Sequence, residues 1–314
     1  MLSRTADNLY WIARYMERAE TLARFLEVGA RIALLPSTGH GYRNEWVSLL
    51  QASGTAIGFQ RKYGDPVQRN IESYLFFDRD NSSSVASCLI QARENARIVR
   101  TALSTQVWDA LNTAFQELRD LERVPRGDLE LSRLTDWTMR HAAMVRGTID
   151  TTLLRNDGWD FLNLGYHLER ADNTARLLDV KYHILLPEGE RVGGTVDRDQ
   201  WTTILQTVSA VNAYRWLYRE GLQAKSVCEL LILRRELPRS LAASAEEVVL
   251  HLNALGKQTG FQGEADRLAR LRHARLGETR IDAVMKRGLH QYLEEFLAEN
   301  AELNAAISRQ FRFI

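Results

Sequence analysis

The sequence predicts an all-α fold in which two pseudo-repeats of about six up-and-down helices pack into one helical bundle. One charged stretch occurs twice, at residues 17–35 and 169–187, with nine of 19 aligned positions identical. Self-similarity at a fixed separation, here 152 residues, is the signature of an internal repeat. Apolar residues also recur at steps of three and four, and no segment alternates apolar and polar residues as a strand does.

The first repeat, residues 1–157, is predicted to contain six helices. Ser3 or Thr5 caps the first helix, which Pro36 and Gly39 end. The other five helices of this repeat are marked by serine, asparagine or aspartate caps and by proline or glycine breaks. These helices are predicted at residues 44–63, 66–77, 84–101, 105–122 and 128–156.

The second repeat, residues 158–314, follows the same order. Its charged helix ends at Pro187 and Gly189, and the Gly193-Gly194 linker is predicted to be a mobile loop. The later helices are predicted at residues 197–219, 226–235, 240–255, 263–276 and 279–314. Because one repeat seldom closes its own core, each half is expected to bury its apolar stripe partly against the other.

Composition excludes several classes of protein. The 314 residues carry a formal net charge of +1, which gives no reason to expect nucleic acid or an anionic membrane surface as a partner. Two cysteines do not form a disulfide framework. No apolar stretch approaches the roughly 20 residues that span a bilayer. We therefore expect a soluble, cytoplasmic protein.

The repeated helix carries a charged stripe with two interpretations. As a solvated face, its i,i+4 acid–base pairs stabilise the helix by roughly 0.2–0.5 kcal/mol each. However, Glu17 and Glu169 have no base at i+4, and each is followed directly by an arginine, Arg18 or Arg170. If the stripe is buried, its charges must be paired, which predicts Glu17 beside Arg170 and Glu169 beside Arg18. Such a network is either structural or a ligand or catalytic site, with Glu17 and Glu169 as the catalytic candidates.

A second charged group lies on the helix predicted at 84–101. Arg93, Arg97 and Arg100 share one face, and Glu94 and Asn95 lie between them. Guanidinium groups bind carboxylates and phosphates well, so these five residues are candidate binding residues. The alternative is a solvated face, whose charges contribute little.

Common catalytic motifs are missing from the sequence. There is no Glu-x-x-His pair, no phosphate-binding glycine loop and no Gly-x-Ser-x-Gly nucleophile motif. Neither Cys88 nor Cys228 has a histidine nearby in the sequence. The sequence therefore predicts no metal site and no cofactor.

Several separated motifs resemble those of the alpha-E family, bacterial all-helical proteins named for a Glu-Arg motif. They are residues 1–11, the run Glu-Arg-Ala-Glu at 17–20, the run Ala-Arg-Glu-Asn-Ala-Arg at 92–97, and residues 158–162 leading into 168–171. The resemblance covers essentially the whole chain. Ser83 stands where the family pattern has a proline, which puts the geometry of that loop in doubt.

The resemblance implies the kind of enzyme system in which the protein works, and it does not imply a reaction of its own. Such proteins are typically encoded beside a circularly permuted ATP-grasp ligase and a transglutaminase-like cysteine protease, which implies ATP-dependent peptide ligation or peptide tagging. Three hypotheses follow. In the first, the chain is a non-catalytic accessory component that binds the ligase or its peptide substrate. In the second, it is an enzyme that uses Glu17 or Glu169, beside arginine, for acid/base chemistry on a peptide or amino acid. In the third, it is an RNA-binding protein that uses the arginine row, which the net charge disfavours.

Overall fold

The computed structural model describes residues 1–34, 41–183 and 191–313. Within these residues it contains fifteen α-helices and no strand, which confirms the all-α fold class. In chain order the helices are α1 (Ser3–Ile32), α2 (Gly41–Ala52), α3 (Ala56–Lys62), α4 (Gln68–Glu72), α5 (Val85–Ile98), α6 (Thr105–Arg123), α7 (Leu131–Thr152), α8 (Asp157–His183), α9 (Thr195–Thr207), α10 (Val211–Leu217), α11 (Ala224–Leu233), α12 (Leu241–Thr259), α13 (Glu264–Glu278), α14 (Ile281–Arg287) and α15 (Leu289–Phe311). None of them is both long and apolar enough to cross a membrane. The internal duplication stays a prediction.

Three long helices of the sequence analysis are each broken in two, so the prediction of six helices per half is wrong. Gly54 separates α2 from α3 and has φ +71°, while Ser209 separates α9 from α10 and has φ +57°. Gly288, at φ +108°, lies between α14 and α15. A single residue with positive φ turns the chain out of the right-handed helix. The same break therefore follows the second helix of each half.

Helix caps were predicted in part correctly. The hydroxyls of Ser84, Ser104 and Ser240 each accept a backbone N–H at 3.0–3.2 Å and begin α5, α6 and α12. At α1 the prediction was wrong, because Leu2 precedes the helix and no side chain caps it. Pro36, Gly39, Pro187 and Gly189 lie outside the described residues.

Helices α1 and α8, which carry the repeated stretch, run parallel through the centre of the molecule. The amino group of Met1 lies 3.1 Å from the carboxylate of Asp157 where the two helices begin. Farther along, a Cβ built on Gly165 would lie 2.2 Å from the carbonyl oxygen of Tyr10. Only glycine permits so close an approach of two helix backbones.

Each half covers the central helix of the other. In addition to their mutual contact, α1 packs against α5, α7 and α9, and α8 packs against α2, α12 and α15. Helix α2 of the first half thus lies on α8, and α9 of the second half lies on α1. One hydrophobic core runs through both halves. This packing confirms that each half buries its apolar stripe partly against the other.

Candidate functional site

The two Glu-Arg motifs meet in the protein interior. Arg18 donates from Nε to Glu169 at 2.6 Å, and Arg170 donates from Nη2 to Glu17 at 3.0 Å. The Glu17 and Glu169 side chains are only 0% and 3% exposed. The reciprocal pairing predicted from the sequence is confirmed, and these charges do not form a solvated face.

Each glutamate has a second arginine that the sequence analysis missed. Arg14, one helical turn before Arg18, donates to Glu169 at 2.7 Å. Arg239, immediately before α12, donates to Glu17 at 3.1 Å and also to Glu20. Arg14 lies on α1 just before the repeated stretch, so its helical spacing from Arg18 was a signal for its contact with Glu169. No local pattern pointed to Arg239, which reaches the site from a loop more than 200 residues away.

These arginines hold Glu169 in its charged form. Burial by itself raises the pKa of Glu169, but the charges and hydrogen bonds of Arg18 and Arg14 outweigh it and hold the pKa at about 2. Burial lowers the pKa of Arg170 to about 10, against the opposing charge of Glu17. At neutral pH Glu169 is therefore ionised and accepts hydrogen bonds, but its low pKa makes it a poor general base.

An outer layer of ion pairs ties the halves together. Arg24 forms the predicted i,i+4 pair with Glu20 at 2.6 Å and also donates to the backbone carbonyl that ends α9. Arg176 pairs with Asp172 at 2.6 Å and donates, at 3.3 Å, to the carbonyl that ends α2. Each pair therefore fastens a central helix to a helix of the other half.

The Glu169 side of the network contains a cavity of about 190 Å³. Its lining includes Arg18, Glu169, Ser83 and Thr21, and within the described part of the chain the buried Thr21 hydroxyl has no hydrogen-bond partner. On the Glu17 side, the guanidinium of Arg239 bridges Glu17 and Glu20. In the predicted repeat, residues 79–84 align with residues 235–240 at an offset of 156, so Ser83 stands where the second half has Arg239.

A larger concave surface, beyond the 190 Å³ cavity, adjoins the Glu17 side. This cleft of about 700 Å³ lies between α1, α7 and the connection from α6 to α7, with Trp137 in its lining. Glu20 and Arg24 line it from α1, and the exposed Arg133 and Arg140 line it from α7. Ligand pockets in proteins have volumes of about 300–1,000 Å³, so the cleft is of a size to hold an amino acid or a short peptide.

The arginine row lies apart from the Glu-Arg network and from the cleft, and its last member, Arg100, lies beyond the end of α5. Arg93 packs over Phe115 of α6, 4.6 Å from the ring centroid, and donates to Glu94 at 2.5 Å. The exposed Arg97 donates to the same carboxylate at 2.8 Å, and Arg100 packs over Trp108. The remaining member of the row, Asn95, is half-buried on the same helix. None of the described contacts joins this row to Glu17 or Glu169.

Comparison with known proteins identifies the same motif. A family model named Alpha-E, described as a predicted alpha-helical domain with a conserved ER motif, matches residues 1–311. The chain is 23% identical over 319 residues to uncharacterized protein Mb2597 of Mycobacterium bovis, and 22% identical to uncharacterized protein Rv2567 of Mycobacterium tuberculosis. Each match covers 94% of this chain and 35% of the relative, so the chain spans about a third of the length of these relatives. No solved structure shows a significant match.

Proposed function

The chain belongs to the Alpha-E family, and we propose that it is a non-catalytic binding component whose Glu-Arg motifs hold the fold together. One observation carries this proposal: Glu17 and Glu169 are buried, and each accepts hydrogen bonds from two arginines. Their lone pairs are therefore engaged by the protein itself. The motif therefore fixes how α1 and α8 pack against each other, and the proposed ligand-binding surface lies elsewhere on the protein.

The competing hypothesis, an enzyme with a Glu-Arg acid/base pair, has less support. A general base works best when its pKa lies near the operating pH, and Glu169, with a pKa of about 2, is far below it. Burial also raises the pKa values of Cys88 and Cys228 to about 12, so neither is a ready thiolate nucleophile.

The binding surface in this proposal is the cleft between α1 and α7. Among the described residues, Arg133 and Arg140 form no salt bridge within 4 Å, and both are exposed on the cleft wall. Arginines with unengaged guanidinium groups bind carboxylates in bidentate fashion. Asp128, Glu130 and Asp136 also line the cleft, so the ligand we propose is a peptide segment that presents a carboxylate to the two arginines and a basic group to these acids.

The partner we propose is a circularly permuted ATP-grasp ligase, or a transglutaminase-like protein, of a peptide-ligation or peptide-tagging system. The motif resemblance supports this setting. The mycobacterial relatives add support of a general kind, because in them the matching segment is joined to further polypeptide of nearly twice its length. A helical segment that occurs joined to a larger chain is suited to work beside another protein.

The test is direct binding. The purified chain is mixed with the circularly permuted ATP-grasp ligase that we propose as its partner, and affinity is measured by calorimetry. Replacing both Arg133→Glu and Arg140→Glu should weaken binding at least about ten-fold, which corresponds to about 1.4 kcal/mol. The matched control is Arg270→Glu on α13, an exposed arginine outside the cleft lining. No binding by the unmodified chain, or equal loss in the control, would refute the proposal.

A further inference from the structure

Two histidines and a glutamate meet between α8 and α12, away from the Glu-Arg motifs. His167 belongs to α8, and Glu247 and His251 lie one turn apart on α12. One imidazole nitrogen of each histidine and one oxygen of Glu247 all lie within 4.8 Å of one another. We propose that these three side chains bind a divalent transition-metal ion, preferentially Zn²⁺, and leave one coordination position open.

The donor set is the reason for choosing zinc. Two imidazoles and one carboxylate are a common protein ligand set for Zn²⁺, with bonds of about 2.0–2.2 Å and a fourth position for water or another ligand. Donors around such an ion are about 3.4 Å apart in tetrahedral geometry. His251 Nε2 and Glu247 Oε2 are already 3.6 Å apart. The other donor separations are at most 4.8 Å, so metal binding requires side-chain rotations that shorten them by up to about 1.4 Å.

His251 is held in the orientation that a metal ligand needs. Its Nδ1 lies 2.9 Å from the carboxylate of Asp160, and Gln258 donates to the other oxygen of that carboxylate at 3.2 Å. A carboxylate on the far nitrogen of a metal-binding histidine fixes the ring and its tautomer. With Nδ1 engaged, Nε2 is left facing Glu247.

His167 supplies an unused buried donor atom. The residue is 9% exposed, and its Nδ1 has no hydrogen-bond partner among the described residues. A buried polar atom without a partner is rare in proteins, and a missing ion is one explanation for it.

The local charges favour a dication. Glu247 and Asp160 contribute carboxylates at the cluster, and the guanidinium of Arg146, the nearest cation, is paired with Asp150 at 3.0 Å. The ion has a route in, because the Glu247 side chain is 42% exposed while His251 is buried at 2%. Sequence patterns gave no sign of this cluster, since the third ligand comes from a helix 80 residues earlier in the chain.

The test is metal binding by the full chain after treatment with a chelator. Co²⁺ should produce the visible absorption of a four-coordinate site at one equivalent, and Zn²⁺ should abolish it by competition. Glu247→Gln should weaken Co²⁺ and Zn²⁺ binding at least about ten-fold, and His167→Gln should do the same. The fold of each variant is checked by circular dichroism.

The matched control uses another buried histidine beside a glutamate. His141 lies 2.9 Å from Glu117, with no third ligand reported among the described residues. Glu117→Gln should leave metal affinity unchanged. The proposal is overturned if the unmodified chain binds no Co²⁺, or if Glu247→Gln binds the ion as tightly as the unmodified chain. If His167→Gln does not fold, Glu247→Gln alone decides, because its side chain is half-exposed.

Discussion

Arg18 on α1 donates to Glu169 on α8 at 2.6 Å, and the other two residues of the motifs form the reciprocal pair, in which Arg170 donates to Glu17 at 3.0 Å. Each Glu-Arg dipeptide therefore contributes one member to each of two buried ion pairs. Replacing a whole buried pair by apolar residues is often harmless, whereas removing one partner strands a charge. The pairs are best understood as fixing how α1 lies against α8.

Removal of one arginine from the buried pairs should show how much the packing of α1 against α8 depends on them. Arg170→Met leaves the buried Glu17 with Arg239 as its remaining arginine, and we expect a loss of about 3–5 kcal/mol in the free energy of unfolding. Arg31→Met is the control, because Arg31 is 47% exposed and pairs with Glu27 on the same helix; it should cost less than about 0.5 kcal/mol. Urea unfolding measures both, and equal losses would contradict a buried, structural role.

The same network predicts a dependence on acid. The folded-state pKa of Glu169, about 2, lies below its ordinary value of 4.5, so its stabilisation is complete above pH 4.5 and is lost as pH falls from 4.5 through 2. The loss attributable to this group is about 3 kcal/mol. Glu169→Gln should be less stable at pH 7 and should lose less stability in that window.

Chemical denaturation at a series of pH values checks this expectation. Glu27→Gln is the control, since its carboxylate belongs to a partly exposed pair with Arg31. The control should keep the acid-dependent loss of the unmodified protein. If Glu169→Gln kept it too, the acid dependence would lie in other carboxylates.

The fold class and the pairing of the motifs were accessible from the sequence, for different physical reasons. Helical periodicity is local, and the unpaired Glu17 and Glu169 required a partner if buried. The break at Ser209 was not accessible, because a serine carries no strong signal for positive φ. Arg239 was missed because its contact is set by tertiary packing, and no sequence spacing encodes it.

The close approach of α1 and α8 gives a third prediction. In Gly165→Ala the new Cβ would lie 2.2 Å from the Tyr10 carbonyl oxygen, so the helices must separate. We expect a loss of about 2–4 kcal/mol, the range for severe overpacking. Gly147→Ala on α7 is the control: apart from its chain neighbours and the backbone of its own helix, no described atom lies within 4 Å of its Cβ, so a gain of about 0.5–1 kcal/mol is expected. Thermal unfolding of both variants decides, and a gain at Gly165 would contradict the packing described.

The cavity beside Glu169 gives the fourth prediction, through the buried hydroxyl of Thr21. Because none of the described residues forms a hydrogen bond with that hydroxyl, Thr21→Val removes an unpaired polar group without changing shape and should raise the free energy of unfolding by about 1 kcal/mol. Thr138→Val is the matched control, since the Thr138 hydroxyl donates to the Leu134 carbonyl at 2.9 Å; it should cost about 1 kcal/mol. Parallel urea titrations measure both. A loss of stability in Thr21→Val would mean that the hydroxyl has a partner inside the cavity in solution, and the 190 Å³ space beside Glu169 would then be a second place to look for a ligand.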